Sequence, residues 1–149
     1  MKRVKYFRRI IIIVLLLFIL PSCSSKKKQQ LVLVTEAGFA PYEYYSNNEI
    51  VGVDIDIAKK LANYLNLELV VKDVAFDSII NEVKTGKSDI GAAGISYTEE
   101  RAREVAFTEN YASSKQVIIV KNESPITSKT NLSGKIAVQL GTTADSYLT

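Results

Sequence analysis

The chain has 149 residues, is 47% hydrophobic and 23% charged, and contains one cysteine and no histidine. That composition is globular, and it excludes His-dependent nucleophilic catalysis, His-ligated metals, CxxC redox pairs and an intramolecular disulfide. The net charge of +3 is unevenly spread: residues 1–30 carry eight basic and no acidic side chains, and residues 31–149 carry eleven basic and sixteen acidic ones, so the part able to fold lacks the basic footprint of a nucleic-acid binder.

Met1 to Arg9 is a cationic start, and Ile10 to Leu20 is an unbroken apolar run. The run falls short of the ~20 residues a bilayer-spanning helix needs, and small residues follow it, so residues 1–22 read as a secretory signal peptide. An uncleaved membrane anchor is the alternative. The run ends Leu20-Pro21-Ser22-Cys23, which resembles the lipobox of bacterial lipoproteins and implies acylation of Cys23 as the mature N-terminus. Ser24 to Gln30 is polar and charged, so residues 23–30 read as a lipidated N-terminus and tether.

Leu31 to Thr35 is a short continuous apolar run, the pattern of a strand buried on both faces. Phe39-Ala40-Pro41-Tyr42 reads as a loop because proline restricts its neighbour to extended conformations. Asp54 to Leu65 has helical spacing, with Ile55, Ala58, Leu61, Ala62 and Leu65 on one face. Leu67 to Val71 returns to strand. Asp77 can cap a helix that carries Ile79, Ile80 and Val83 and stops at Gly86. Asp89 to Gly94 reads as a strand of small residues, and Thr98 opens a short charged helix. Val117–Val120 and Ile136–Leu140 read as further strands, and Gly141-Thr142-Thr143 leads into a last helix. Strands alternating with helices predict an α/β fold with a largely parallel sheet, with ligands off the carboxyl ends of the strands. Three loops fall there: Glu36–Tyr42, Gly94–Arg101 and Gly141–Thr143.

Four pieces in this order carry a family resemblance. They are Gly52-Val53-Asp54-Ile55-Asp56-Ile57, Gly94 to Arg101 followed by Val105-Ala106-Phe107-Thr108, Phe39-Ala40-Pro41-Tyr42, and Gly141-Thr142-Thr143. Together they resemble the extracellular solute-binding proteins for polar amino acids, over residues 31–149. The resemblance implies a two-lobed periplasmic-binding-protein-like fold that closes over its ligand. Residues 31–112 would form lobe 1, 113–116 the hinge crossing and 117–149 the start of lobe 2. In that family lobe 2 continues well past this point, so the expectation is a truncated chain with the first lobe mostly present and the second cut off.

The same resemblance implies the site. Arg101 would grip a ligand α-carboxylate with the planar fork of its guanidinium. Ser96 would reach the ligand's polar head, and Gly94 would offer backbone groups near the ammonium. Relatives often place serines where this chain has Ala93 and Gly94, so side-chain bonds are lost there. Thr142 and Thr143 would present a helix start to the same carboxylate. Phe39 and Phe76 would form apolar walls. Glu36 would face the ammonium or the ligand side chain, a carboxylate that leans towards polar or cationic ligands. The ordinary alternatives are an exposed helix arginine, an N-cap and core phenylalanines.

The implied function is capture of a free L-amino acid and delivery to an ABC transporter permease, on a lipoprotein anchored outside the cytoplasm. No enzymatic activity, cofactor, metal or nucleic-acid partner is expected. Two rivals share the fold: a cyclohexadienyl dehydratase-like enzyme and the ligand-sensing module of a signalling protein. The lipobox favours the tethered receptor, since a free enzyme has no need of an anchor.

Overall fold

The computed structural model describes residues 29–149; the signal-peptide reading and Cys23 lie outside the described residues. In chain order the elements are β1 (Gln30–Thr35), a meander of β2 (Gly38–Phe39), β3 (Glu43–Ser46) and β4 (Glu49–Val51), helix α1 (Val53–Tyr64), β5 (Glu68–Asp73), α2 (Ile79–Lys84), β6 (Ile90–Gly91), α3 (Glu99–Ala102) and α4 (Thr143–Leu148). Single 3-10 turns occupy Phe76–Ser78 and Lys129–Asn131. No described helix is long and apolar enough to cross a membrane.

β1 is the middle strand of a parallel sheet ordered β5-β1-β6. Leu33 pairs with Val71 on one side and with Ile90 on the other. Because side chains alternate along a strand, Leu33 and Val34 point to opposite faces. Leu33 packs with Ile55 and Ala58 of α1, and Val34 with Ile79 of α2 and Ala93. The result is one small core on each face of the sheet, the layered α/β arrangement expected. Burying each of Leu33, Ile55 and Ile79 stabilises the fold by about 1.5–3 kcal/mol. Gly91 is where α2 comes closest: a Cβ there would stand 2.9 Å from Ile79 Cγ2.

Gly52 makes the turn from the meander into α1. Its φ of +134° is poorly accessible to other residues, and an added Cβ would lie 2.1 Å from the Tyr42 carbonyl oxygen. That close approach lets Val53 and Asp54 donate their N–H groups to the carbonyls of Pro41 and Tyr42. The start of α1 is thereby tied to the loop that leads into β3.

Several expectations need correction. Phe39 does not lie in a plain loop but pairs with Glu43 in the meander. Leu61 and Leu65 are 37% and 46% exposed, because Ile55, Ala58 and Ala62 already fill the contact with the sheet. Asp77 does not cap α2; Ser78 stands at the N-cap with no side-chain cap bond, and Asp77 accepts from the Ser78 hydroxyl. The strand expected over Asp89–Gly94 is confined to Ile90–Gly91. Val117–Val120 and Ile136–Leu140 are irregular and largely exposed, with Ile119 at 91%. A strand exists only against a neighbour, and neither run meets one among the described residues.

Candidate functional site

A cavity of about 250 Å³ opens where the end of β1, the meander, the turn before α2, the β6–α3 loop and the start of α4 meet. Its lining contains Glu36, Phe39, Phe76, Gly94, Ser96, Arg101, Thr142 and Thr143, so all eight residues singled out in the sequence face one space. The volume lies just below the ~300–1,000 Å³ of drug-sized ligand pockets, a scale suited to a small metabolite.

Arg101 is held by its own helix cap. Thr98 accepts the Arg101 backbone N–H at 3.2 Å, which starts α3 in register. From there the guanidinium turns back: Nη1 donates to the Ser96 carbonyl at 2.7 Å, and Nη2 to the Gly141 carbonyl at 2.8 Å. Its Cζ lies 5.6 Å from the centre of the Phe76 ring, within cation–π range. Two of five N–H donors are thus committed, and three remain for other partners. Burial lowers the Arg101 guanidinium from its ordinary value, and the carboxylate of Glu100 acts in the opposite sense. Among the described residues no carboxylate lies within salt-bridge distance of it. A half-buried cation is fixed in place without a counter-ion.

Glu36 stands at the end of β1 and accepts a hydrogen bond from Gln139 Nε2, which closes one side of the cavity. Phe39 is 51% exposed and stacks on Tyr42 with ring centres 5.3 Å apart. Gly94 sits at φ +55°, and a Cβ there would meet the Phe39 ring at 2.9 Å. The glycine lets ring and loop close on each other. Thr142 caps α4, its hydroxyl accepting from Asp145 N at 3.3 Å and donating to the Gln139 carbonyl. Thr143 Oγ1 accepts from Gln116 Nε2 at 3.0 Å. Asp145 Oδ2 takes the Gly141 N–H, so part of this turn's anion-attracting capacity is met internally.

Sequence reasoning missed Glu43, Gln116 and Gln139, which also line the cavity. Gln116 and Gln139 lie in irregular segments with no pattern to mark them. Glu43 is 1% exposed, and burial, then the adjacent Asp54 carboxyl, pushes its acid up to about 9. Among the described residues, no group of three or more His, Cys, Asp or Glu could hold a metal ion.

Comparison with known proteins gives a consistent picture. A family model for bacterial extracellular solute-binding proteins, family 3, matches residues 31–145. The chain is 37% identical over 112 residues to the arginine-binding extracellular protein ArtP of Bacillus subtilis, covering 74% of this chain and 44% of that protein. It is 40% identical over 116 residues to ABC transporter arginine-binding protein 1 of Escherichia coli, covering 75% and 46%. The histidine-binding periplasmic protein of Escherichia coli is 34% identical over 116 residues, covering 76% and 45%. The chain spans just under half the length of these curated relatives. Among solved structures, the P235GK mutant of the arginine-binding protein from T. maritima superposes with a TM-score of 0.74 at 40% identity, over 80% of this chain and 54% of that one. The arginine-bound form of domain 1 of the TmArgBP protein gives 0.54 at 40% identity, over 55% and 66%.

Proposed function

Since this chain belongs to the bacterial extracellular solute-binding proteins, family 3, we propose that it captures a free L-amino acid outside the cytoplasm for delivery to an ABC transporter permease. Its α/β architecture is that of the periplasmic-binding-protein-like fold, with the described sheet in the first lobe. Within it we assign residues 31–112 to that lobe, 113–116 to the crossing and 117–149 to the opening of the second.

The observation that carries this reading is Arg101: a fixed guanidinium on a metabolite-sized cavity, with donors to spare and no salt-bridge partner among the described residues. An α-carboxylate is the missing partner, because it accepts two parallel bonds from the fork. Phe39 and Phe76 supply apolar contact, Gly94 and Ser96 polar groups near the ligand head, and Thr142 and Thr143 the opposite rim. Glu36 gives the cavity an acidic counterpart to Arg101, which suits a cationic side chain. The relatives named for arginine and histidine point the same way.

Isothermal calorimetry against L-arginine, L-histidine, L-lysine, L-glutamate and a neutral sugar tests the proposal. Heat is expected with the cationic amino acids, strongest with L-arginine, and none with the sugar. Silence across the amino acids, together with heat from the sugar, would move the protein to another ligand class.

The lipobox-like Leu20-Pro21-Ser22-Cys23 supports anchoring of the protein to the cell membrane by a diacylglyceryl group on Cys23. Cells fed radioactive palmitate should label the protein, and Cys23→Ala should abolish the label. Equal labelling of the two forms removes the anchor from the account.

A further inference from the structure

Glu43 opens β3 and Asp54 sits in the first turn of α1, and each is 1% exposed. Asp54 donates its N–H to the carbonyl of Tyr42, the neighbour of Glu43, so the two carboxyls lie beside each other at the ligand cavity, which Glu43 lines. Of their four oxygens, Asp54 Oδ2 has a conventional donor: the Gly94 N–H, at 2.9 Å. Both Glu43 oxygens and Asp54 Oδ1 have none among the described residues. Two contacting carboxylates cannot both ionise when buried, and unpaired buried oxygens are costly. One proton resolves both difficulties. Carried on Glu43 and donated to Asp54 Oδ1, it supplies a bond for each residue.

We propose that Glu43 and Asp54 share a single proton, and that Glu43 thereby acts as a positioning residue for the ligand loop, holding Asp54 where it anchors the Gly94 N–H. Gly94 starts the stretch that contains Ser96, whose carbonyl holds the Arg101 guanidinium. The order of action runs Glu43, Asp54, Gly94, Ser96, Arg101. This rests on the cavity being the amino-acid site. The groups that face the pair are the Glu36 carboxylate, the Tyr42 and Tyr111 phenols, and Arg101 across the same cavity. Tyr111 is held protonated by burial and by Asp54, well above its ordinary range, so it does not titrate before Glu43. Glu43 itself is pushed up to about 9. Above that pH two anions meet in a buried space and repel, and the Asp54–Gly94 bond loosens.

The test follows the Gly94 amide of the protein by 15N–1H NMR from pH 6.5 to 10.5, in the wild type, Glu43→Gln, Glu43→Ala and Tyr111→Phe. The wild-type resonance should move with a midpoint near pH 9, and Tyr111→Phe should leave that midpoint in place. Glu43→Gln should remove the titration, because a carboxamide donates to Asp54 at every pH. L-arginine binding should weaken at least tenfold in Glu43→Ala, and Glu43→Gln should restore most of that loss. The α-ammonium of L-arginine deprotonates in the same range and weakens binding to both proteins, so wild-type affinity should fall more steeply above pH 9 than that of Glu43→Gln. A wild-type Gly94 amide that ignores pH, or a glutamine variant that still titrates, overturns the proposal. If no variant binds any amino acid, the ligand reading fails, and the Gly94 titration still decides the positioning role.

Discussion

Replacing Arg101 by lysine is expected to weaken amino-acid binding roughly tenfold to a hundredfold. The guanidinium is already oriented by the Ser96 and Gly141 carbonyls, so its remaining donors form a rigid fork. An ammonium is a compact point donor and cannot make two parallel bonds to a carboxylate. Hydrogen bonds to charged groups contribute about 1.5–3 kcal/mol, and ~1.4 kcal/mol corresponds to a decade in affinity. Arg103 lies two residues on, exposed and away from the cavity lining, so Arg103→Lys should change affinity less than about twofold. Equal losses in the two lysine variants, measured by calorimetry with L-arginine, would make Arg101 an ordinary helix residue.

Glu43→Gln is expected to stabilise the protein, by an amount that grows with pH. In the folded chain the Glu43 acid is raised to about 9, from an ordinary value of 4.5. Between those values the folded state keeps a proton that the unfolded chain has released. The stability this protonated acid permits is fully present below about pH 4.5 and is lost progressively as pH rises towards 9. The limiting slope is ~1.4 kcal/mol per pH unit. A glutamine does not titrate and escapes this loss. The difference between variant and wild type should be near zero at pH 4 and on the order of 3–4 kcal/mol at pH 7. Urea melts of both proteins at pH 4, 5.5, 7 and 8 provide the check, since carboxylates remote from Glu43 cancel in the difference. Parallel curves would mean that Glu43 is ionised in the folded state and that the shared proton does not exist.

Much of this was legible in the residues, for definite reasons. Leu31 to Thr35 announced a central strand because burial on both faces removes the alternation an exposed strand shows. The cavity residues were legible because Glu36, Phe39, Gly94, Arg101 and Thr142 sit in motifs of recognisable order at strand ends, where an α/β sheet brings loops together. The meander was missed, although it carried a signal. Asn47 and Asn48 have φ of 48° and 67°, the positive pair of a tight two-residue hairpin between Tyr44-Tyr45 and Ile50-Val51. Two consecutive asparagines between such residues suit that turn. Glu43 carried no signal of its own, since a glutamate in a short polar strand ordinarily faces water. Its burial shows only in the fold, where the Gly52 turn brings the start of α1 back onto the loop before β3. Val117–Val120 and Ile136–Leu140 show the opposite limit: β-branched residues favour a strand, but pairing requires a partner that local sequence does not supply.

On the proposed function, the Arg101 cavity takes the α-carboxylate of a free amino acid. The most direct measurement is an amide NMR titration of the protein with L-arginine and, separately, with its α-carboxamide. L-arginine should shift the amides of Gly94, Ser96, Arg101, Thr142 and Thr143 together, and the carboxamide should shift them only at far higher concentration. Shifts confined to residues 105–112, or an acid and an amide that bind alike, would contradict it.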